Sequence, residues 1–334
     1  MAEGGRIGSE AELIAAYLAP LAADNPGALG LRDDCATLVP PPGRELVLTT
    51  DSLIEGVHFL AGDIPAYKAL AVNVSDLAAK GAEPLAYLLT LALPEAPTHA
   101  WMRSFADGLA RAQRAFGCLL AGGDTDRTPG RLTITIAAIG SVPAGRMVRR
   151  TSARAGDRLY VSGTIGDAWL GLEARRHLAR AGEWGLDERD ARLLVERFEE
   201  PVPRLGLREA LLEHASAALD VSDGLVKDLN HLCRASSVGG RLELARVPLS
   251  EPARRLVASG SVALAQLVTG GEDYEVLAAV PAEQGSAFER RARAAGVDVT
   301  AIGTLLAPAE GVTVLGQDGH ELELGPGGWE HFGN

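Results

Sequence analysis

Hard oxygen donors recur along the chain: Asp33-Asp34, Thr49-Thr50-Asp51, Asp124 and Asp126, Asp220-Ser222-Asp223, and Glu272-Asp273. Four of these groups close an apolar run: LVLTTD, CLLAGGD, ALDVSD and LVTGGED. Any one of them is ordinary turn chemistry, because Asp bonds readily to nearby backbone. Together they predict a convergent set of carboxylates and hydroxyls. Magnesium takes such ligands, dehydrates reluctantly, and commonly combines a few carboxylates with substrate phosphates. The chemistry expected is therefore phosphate or nucleotide handling built on divalent ions.

Rival phosphate machinery is missing from the sequence. There is no GxxxxGK[ST], and Lys68, Lys80 and Lys227 are the only lysines, so a Walker-type lysine cradle is excluded. GTIGDAWLG (163–171) is a weak echo of a glycine-rich phosphate turn. Phosphate charge would then fall to metal ions, with help from Arg. The pairs Gly122-Gly123 and Gly270-Gly271 permit turns and close backbone approach beside the acids. His58, in EGVHF, is either structural or a substrate contact; Trp329, in GGWEHF, is either packing or a surface for a flat cationic ligand.

The elements that position these residues follow from the apolar pattern. Residues 64–80, which include most of the stretch ALAVNVSDLAAKGA (69–82), have helical length and Ala/Leu content, with a start near Pro65 and a stop at Gly81. At 3.6 residues per turn, Asn73, Asp76 and Lys80 share a face while Leu70, Val72, Val74 and Leu77 spread over the others. A polar seam on an otherwise apolar helix is predicted. Ser9 and Glu12 form a capping-box signature for a helix over AELIAAYLAPLAA. Strands are expected at 45–51, 84–93, 117–121, 131–140, 158–163, 217–221, 241–245, 264–268, 274–280 and 298–303. Helices are expected near 98–116, 166–180, 187–197, 203–214, 224–235 and 282–295. The pattern is mixed α/β, with an Arg-rich linker over 143–157.

The 334 residues suit two domains. Hydrophobic residues make up 47% and charged residues 23%, enough for a real core, while only 4% are aromatic, so packing rests on Ala, Leu and Val. A net charge of −12 with no basic stripe argues against a nucleic-acid partner. Cys35, Cys118 and Cys233 are odd in number and lie far apart, which favours a reducing cytoplasm over a disulfide framework or zinc ribbon. No signal-like N-terminus and no apolar run long enough for a membrane span are present, so a soluble protein is expected.

GLRDDCATL, LTTDSLIEGVHF, LAVNVSDLAAKGAEP, AGGDT, DVSDGLVKDLNHL and TGGEDYE occur in the order and approximate spacing of the thiamine-monophosphate kinase family, from about residue 7 to the terminal GGWEHF. The sequence resembles that family over nearly its full length. The resemblance implies ATP-dependent phosphorylation of thiamine monophosphate to thiamine diphosphate, by direct transfer to the substrate phosphate. It implies the two-domain α/β fold shared with aminoimidazole ribonucleotide synthetase, with domains over 1–148 and 149–334 and with the N-terminal sheets of two subunits meeting in a dimer barrel. It also implies magnesium ligands at Asp34, Thr49, Thr50, Asp51, Asp76, Asp124, Asp220 and Asp223. Gly123, Asp124, Arg150 and Ser222 would contact ATP, with Asp51 and Arg150 catalytic, and His58, Glu272 and Trp329 would contact substrate. Two positions depart from the family pattern: Arg32 replaces the usual glycine before the paired aspartates, and Arg150-Thr151-Ser152-Ala153 replaces Arg-Ser-Gly-Ala.

Two other readings bear on the same residues. Another ATP-using enzyme of the superfamily, a purine-pathway cyclase or a selenophosphate synthetase-like protein, would share the acids; the reactive Cys or selenocysteine with Lys near the N-terminus of the latter is not found here. A non-catalytic magnesium- or nucleotide-sensing module predicts binding without turnover.

Overall fold

The structure, a computed structural model, describes residues 5–177, 179–324 and 328. Its contacts divide into two compact units, one of residues 1–77 and 82–145, the other of residues 78–81 and 146–334.

The first unit is a four-stranded sheet in the order β1-β4-β2-β3. β1 (Arg44–Ile54) and β2 (Glu83–Leu93) run antiparallel to β4 (Thr133–Pro143), and β3 (Leu119–Arg127) pairs parallel to β2. The parallel pair needs a long crossover, supplied by α3 (His99–Phe116). Thr98 caps α3 through Trp101 N, and Gly117 ends it in a left-handed conformation. Before β1, Ser9 does accept from Glu12 N at 3.2 Å, but α1 covers only Glu10–Leu13. The chain continues as a π turn, Ile14–Leu18, and a 3-10 turn, Ala19–Ala22. Pro20 lacks the N–H that a regular helix would donate there, which accounts for the departure from the single expected helix.

α2 (Ala66–Ala79) is the helix with the polar seam. Leu70, Val72, Val74 and Leu77 are all buried, as are Asn73 and Ser75, so the helix is enclosed nearly all round. α2 lies on the face of the sheet that carries Thr49 and Asp51, to which Asp76 and Asn73 bond. Gln113 of α3 bonds to Tyr87 of β2 on that same face. On the opposite face Leu46 (36%), Leu48 (69%) and Leu88 (41%) stand exposed. Among the described residues neither sheet closes into a barrel.

The second unit is a six-stranded sheet in the order β10-β7-β9-β5-β8-β6. It comprises β5 (Arg158–Ser162), β6 (Ala217–Val221), β7 (Gly239–Glu243), β8 (Glu275–Val280), β9 (Val299–Leu306) and β10 (Val312–Leu315). Only the β10–β7 pair is parallel. Strand alternation builds two cores. Leu159, Val161, Leu219, Val221 and Leu277 point into one, with Leu170 of α4 (Asp167–Arg176), Leu194 of α6 (Glu188–Glu199), Leu229 of α8 (Leu225–Ser236), Leu256 of α9 (Glu251–Ala258) and Leu267 of α10 (Leu264–Thr269). Tyr160, Ala218, Val276 and Ala278 point into the other, with Leu211 of α7 (Arg208–His214) and Phe288 of α11 (Gly285–Ala294). The short α5 (Arg180–Glu183) precedes α6.

Residues 264–268, expected as a strand, are helical. So short a run, with Leu264, Ala265, Leu267 and Val268 apolar, does not distinguish the two states, and Gln266 Oε1 accepts the Ala263 N–H at 2.9 Å to start a helical turn. Asp51 lies inside β1 rather than at its end, and β3 continues through Gly122, Gly123 and Asp124 to Arg127 instead of turning.

Candidate active site

In the first unit the sequence-predicted residues fall into two groups. The first is built on β1 and α2. Thr49 Oγ1 donates to Asp76 Oδ2 at 2.5 Å, and Asp51 N donates to Asn73 Oδ1 at 3.0 Å. Asn73 in turn donates to Ala69 O at 3.0 Å, so its amide is held from both ends. Its buried side chain thus fixes the backbone at Asp51, whose residue is exposed. Thr50 alternates to the opposite face and donates to Ile136 O.

The second group surrounds a cavity of about 750 Å³ lined by Asp33, Asp34, Thr37, Gly123, Asp124 and apolar residues including Ile14, Leu31, Leu88 and Ile139. Asp33 and Asp34 reach it on a loop that Thr37 N closes onto Gly27 O at 2.9 Å. Arg32, the departure from the family pattern, is exposed on the same loop. Gly123 has φ +154°, and a Cβ there would collide with the backbone of Leu89 on β2. Only glycine lets β3 run this close with Asp124 exposed beyond it.

His58 follows β1 in a tight turn. Its Nδ1 accepts from Ile54 N at 3.0 Å, and its carbonyl accepts from the buried Lys68 Nζ at 3.1 Å.

In the second unit, Asp220 lies in β6, and Ser222 and Asp223 form the turn that leads into α8. Asp223 pairs with Lys227 at 2.9 Å. The 270–274 loop is stitched to this turn: Glu272 N donates to Ser222 O at 2.7 Å and Tyr274 N to Val221 O at 2.8 Å. Gly271 (φ +75°) permits the contact, since a Cβ would stand 2.7 Å from Ser222 O. Glu272 itself has φ +68°, a conformation rare outside glycine and often found at functional positions. Arg150 is exposed, and its carbonyl accepts from Ser236 Oγ. It also acts on His231, whose basicity is lowered by burial and by the charges of Lys227, Arg150 and Arg234, against the opposing pull of Asp223. Trp329 lies outside the described residues. Its neighbour Gly328 packs against Asp223 and Lys227, where a Cβ would come within 2.7 Å of Asp223 O.

The burial of several charges is not signalled by the sequence pattern. Asp228, in the first turn of α8, accepts from the N–H groups of Ser222 and Asp223, both at 3.1 Å. Burial, then the charge of Asp223, pushes its carboxyl up to about 7 against those hydrogen bonds. Asp273 accepts from Gly166 N at 2.9 and 3.0 Å, at the start of α4. Desolvation raises its pKa well above the usual carboxylate range, with the charges of Asp167 and Glu275 adding to the effect. Glu275 makes a two-pronged pair with Arg204 and accepts from Ser162. An acid in the first turn of a helix was a legible cue for Asp228. Nothing local announces the partners of Asp273 or Glu275.

Among the described residues, no three His, Cys, Asp or Glu side chains are disposed to hold a metal ion by themselves. The donor chemistry nevertheless fits magnesium, which accepts one or two carboxylates and fills its remaining positions with water and phosphate oxygens. Asp51, Asp34 and Asp124 are exposed, and oxygen is the only donor type these groups offer.

Two α/β units, one presenting carboxylates around a glycine-bearing parallel strand and the other a Ser-Asp turn knitted to a Gly-Gly-Glu loop, define the class. Residues 32–142 match the AIR synthase related protein N-terminal domain, and residues 154–315 the C-terminal domain. The chain is 41% identical over 334 residues to thiamine-monophosphate kinase of Caulobacter vibrioides, covering 97% of this chain and 91% of that protein. It is also similar to the crystal structure of thiamine-monophosphate kinase from Stenotrophomonas maltophilia, with a TM-score of 0.81, 35% identity, and coverage of 93% and 97%. AaThiL complexed with AMPPCP and TMP superposes with a TM-score of 0.75 at 35% identity, covering 90% and 91%. Within the AIR-synthase-related class, the chain belongs to the thiamine-monophosphate kinase family.

Proposed function

We propose that this protein transfers the γ-phosphoryl group of ATP to the phosphate of thiamine monophosphate, giving thiamine diphosphate and ADP. The observation that carries the reading is the likeness, over nine-tenths of the chain, to a relative complexed with AMPPCP and TMP. The acceptor is already an ionised phosphate, so no dedicated base is required. The obstacle is repulsion between two polyanions, and the site's task is positioning and charge compensation.

Asp34, Thr49, Thr50, Asp51, Asp76 and Asp124 in the first unit, and Asp220 and Asp223 in the second, would hold several magnesium ions. When bound, these ions supply charge neutralisation between donor and acceptor phosphates. Among the chain's own groups, Asn73 holds the Asp51 backbone and Thr49 orients Asp76. Gly123 admits the nucleotide beside β3, together with Asp124. Arg150 and Ser222 meet the nucleotide, with Arg150 adding positive charge where the sequence is poor in lysine. His58, Glu272 and Trp329 contact substrate, Trp329 against the thiamine rings.

The exposed Leu46, Leu48 and Leu88 support pairing with the same sheet face of a second copy, as a homodimer. Among the described residues no helix is long and apolar enough to cross a membrane, and cytoplasmic location is part of this proposal.

The deciding experiment measures thiamine diphosphate and ADP formed from thiamine monophosphate, ATP and magnesium, with unphosphorylated thiamine and a purine-pathway substrate as controls. Stoichiometric, magnesium-dependent product from thiamine monophosphate alone is expected. ATP binding without product from any acceptor would refute the assignment.

A further inference from the structure

Asp228 is a carboxylate that the proposed reaction does not use. It is 5% exposed, and its Oδ2 collects the N–H groups of Ser222 and Asp223. Successive N–H groups converging at a helix start form a concavity suited to an anion, the arrangement often used for phosphate. Here the chain's own carboxylate occupies it. Other bonds hold the carbonyl side of the same turn: Asp228 N donates to Gly224 O at 2.9 Å, and Glu272 N to Ser222 O. Asp228 holds the N–H side, from the very residues whose side chains are proposed to reach nucleotide and metal.

We propose that Asp228 is a positioning residue: its buried carboxyl fills the N–H concavity of the 222–224 turn, sets the directions of Ser222 and Asp223, and keeps substrate phosphate out of that concavity. The catalytic consequence rests on the roles proposed above for Ser222 and Asp223. The occupancy of the concavity rests on the hydrogen bonds alone.

The test compares full-length wild type, Asp228→Asn and Asp228→Ala. Asparagine retains an oxygen acceptor for both N–H groups, whereas alanine strands them. We expect Asp228→Asn to stay within about threefold of wild type in half-saturating magnesium and in KM for ATP, and Asp228→Ala to raise half-saturating magnesium about tenfold or more, as loss of charge-assisted hydrogen bonds implies. Formate should restore part of the alanine variant's activity and leave wild type unchanged. Inorganic phosphate should raise the thermal midpoint of the alanine variant more than that of wild type. Wild-type magnesium dependence in Asp228→Ala without any response to formate or phosphate overturns the proposal. So does an asparagine variant as impaired as the alanine one.

If the alanine variant does not fold, amide exchange in wild type decides. Ser222 and Asp223 lie outside helix and strand, yet their N–H groups should be protected, and exchange at the rate of open amides overturns the proposal. If wild type fails to phosphorylate thiamine monophosphate, the reaction assignment falls, while the exchange and phosphate readouts still decide the occupancy.

Discussion

Asn73→Ala isolates what the polar seam of α2 contributes. Asn73 is 0% exposed and makes two hydrogen bonds of 3.0 Å, accepting from Asp51 N and donating to Ala69 O. Truncation removes both bonds and leaves the Asp51 N–H facing a small void. One net bond is worth about 1 kcal/mol, and a stranded buried donor costs about 1–3 kcal/mol. The sum is a destabilisation of about 2–4 kcal/mol, or a fall of roughly 5–15 °C in thermal midpoint for a unit of this size. Differential scanning fluorimetry reads the shift directly. The same change frees the backbone that aims Asp51, and a displacement on the order of 1 Å at a reacting site can cost about 100-fold in rate. Asn73→Asp, which retains an acceptor for Asp51 N, should recover more of the rate than alanine does. A midpoint within about 2 °C of wild type, with unchanged turnover, would sink the claim that α2 carries its polar residues to position β1.

Asp51→Asn should abolish phosphoryl transfer while leaving the thermal midpoint within a few degrees of wild type; a variant that is merely unfolded by circular dichroism contradicts the proposed role. The raised pKa of Asp273 makes a signed prediction. Its native proton is held more tightly than in the unfolded chain, so its contribution to stability is full below the ordinary carboxylate value of about 3.9 and is lost as pH rises toward the higher native value. Asp273→Asn should flatten the decline of stability above about pH 4, and an unchanged slope in urea unfolding across pH 4–8 counts against it. Glu275→Gln leaves the half-buried Arg204 cation without its carboxylate partner, and removing one partner of a buried pair typically costs about 3–5 kcal/mol; a loss under about 1 kcal/mol would show that Ser162 and solvent suffice.

The sequence revealed the site's chemistry better than its layout. Periodicity alone located α2 and its seam, because Leu70, Val72, Val74 and Leu77 leave Asn73 and Asp76 together on one face, and both bond to β1 as that geometry requires. Lys80 follows the same spacing but lies just past α2 and bonds to Ala218 O instead, within the second unit to which residues 78–81 belong. The acids were readable as a set, yet their distribution was not. Asp51 reads as a strand end in LTTD, but antiparallel pairing with β4 continues to Ile54. Asp124 reads as a turn residue after two glycines, but β2 accepts Gly123 as a close parallel neighbour and the strand runs on. Long-range pairing decided both, and a window of ten residues carries no trace of it. The 264–268 segment failed for a related reason: a short apolar run takes its state from the surface it packs on.

The acidic balance of the chain acquires a physical meaning once its carboxylates are sorted by environment. Asp34, Asp51 and Asp124 face solvent; such groups gain little from the protein alone and can gain a great deal from a divalent cation. Asp228 and Asp273 do the opposite, each taking up backbone N–H groups at the start of a helix, α8 and α4. Those two helix starts are what a phosphate-binding turn would use, and GTIGD echoes one in sequence for that reason. With both turns occupied from within, the N–H donation of Gly166, Ser222 and Asp223 is not open to phosphate. Three lysines in 334 residues cannot replace it. Under the proposed reaction the phosphate charge would fall to Arg150 and to cations gathered on the exposed acids, while the buried carboxyls at the helix starts serve the fold.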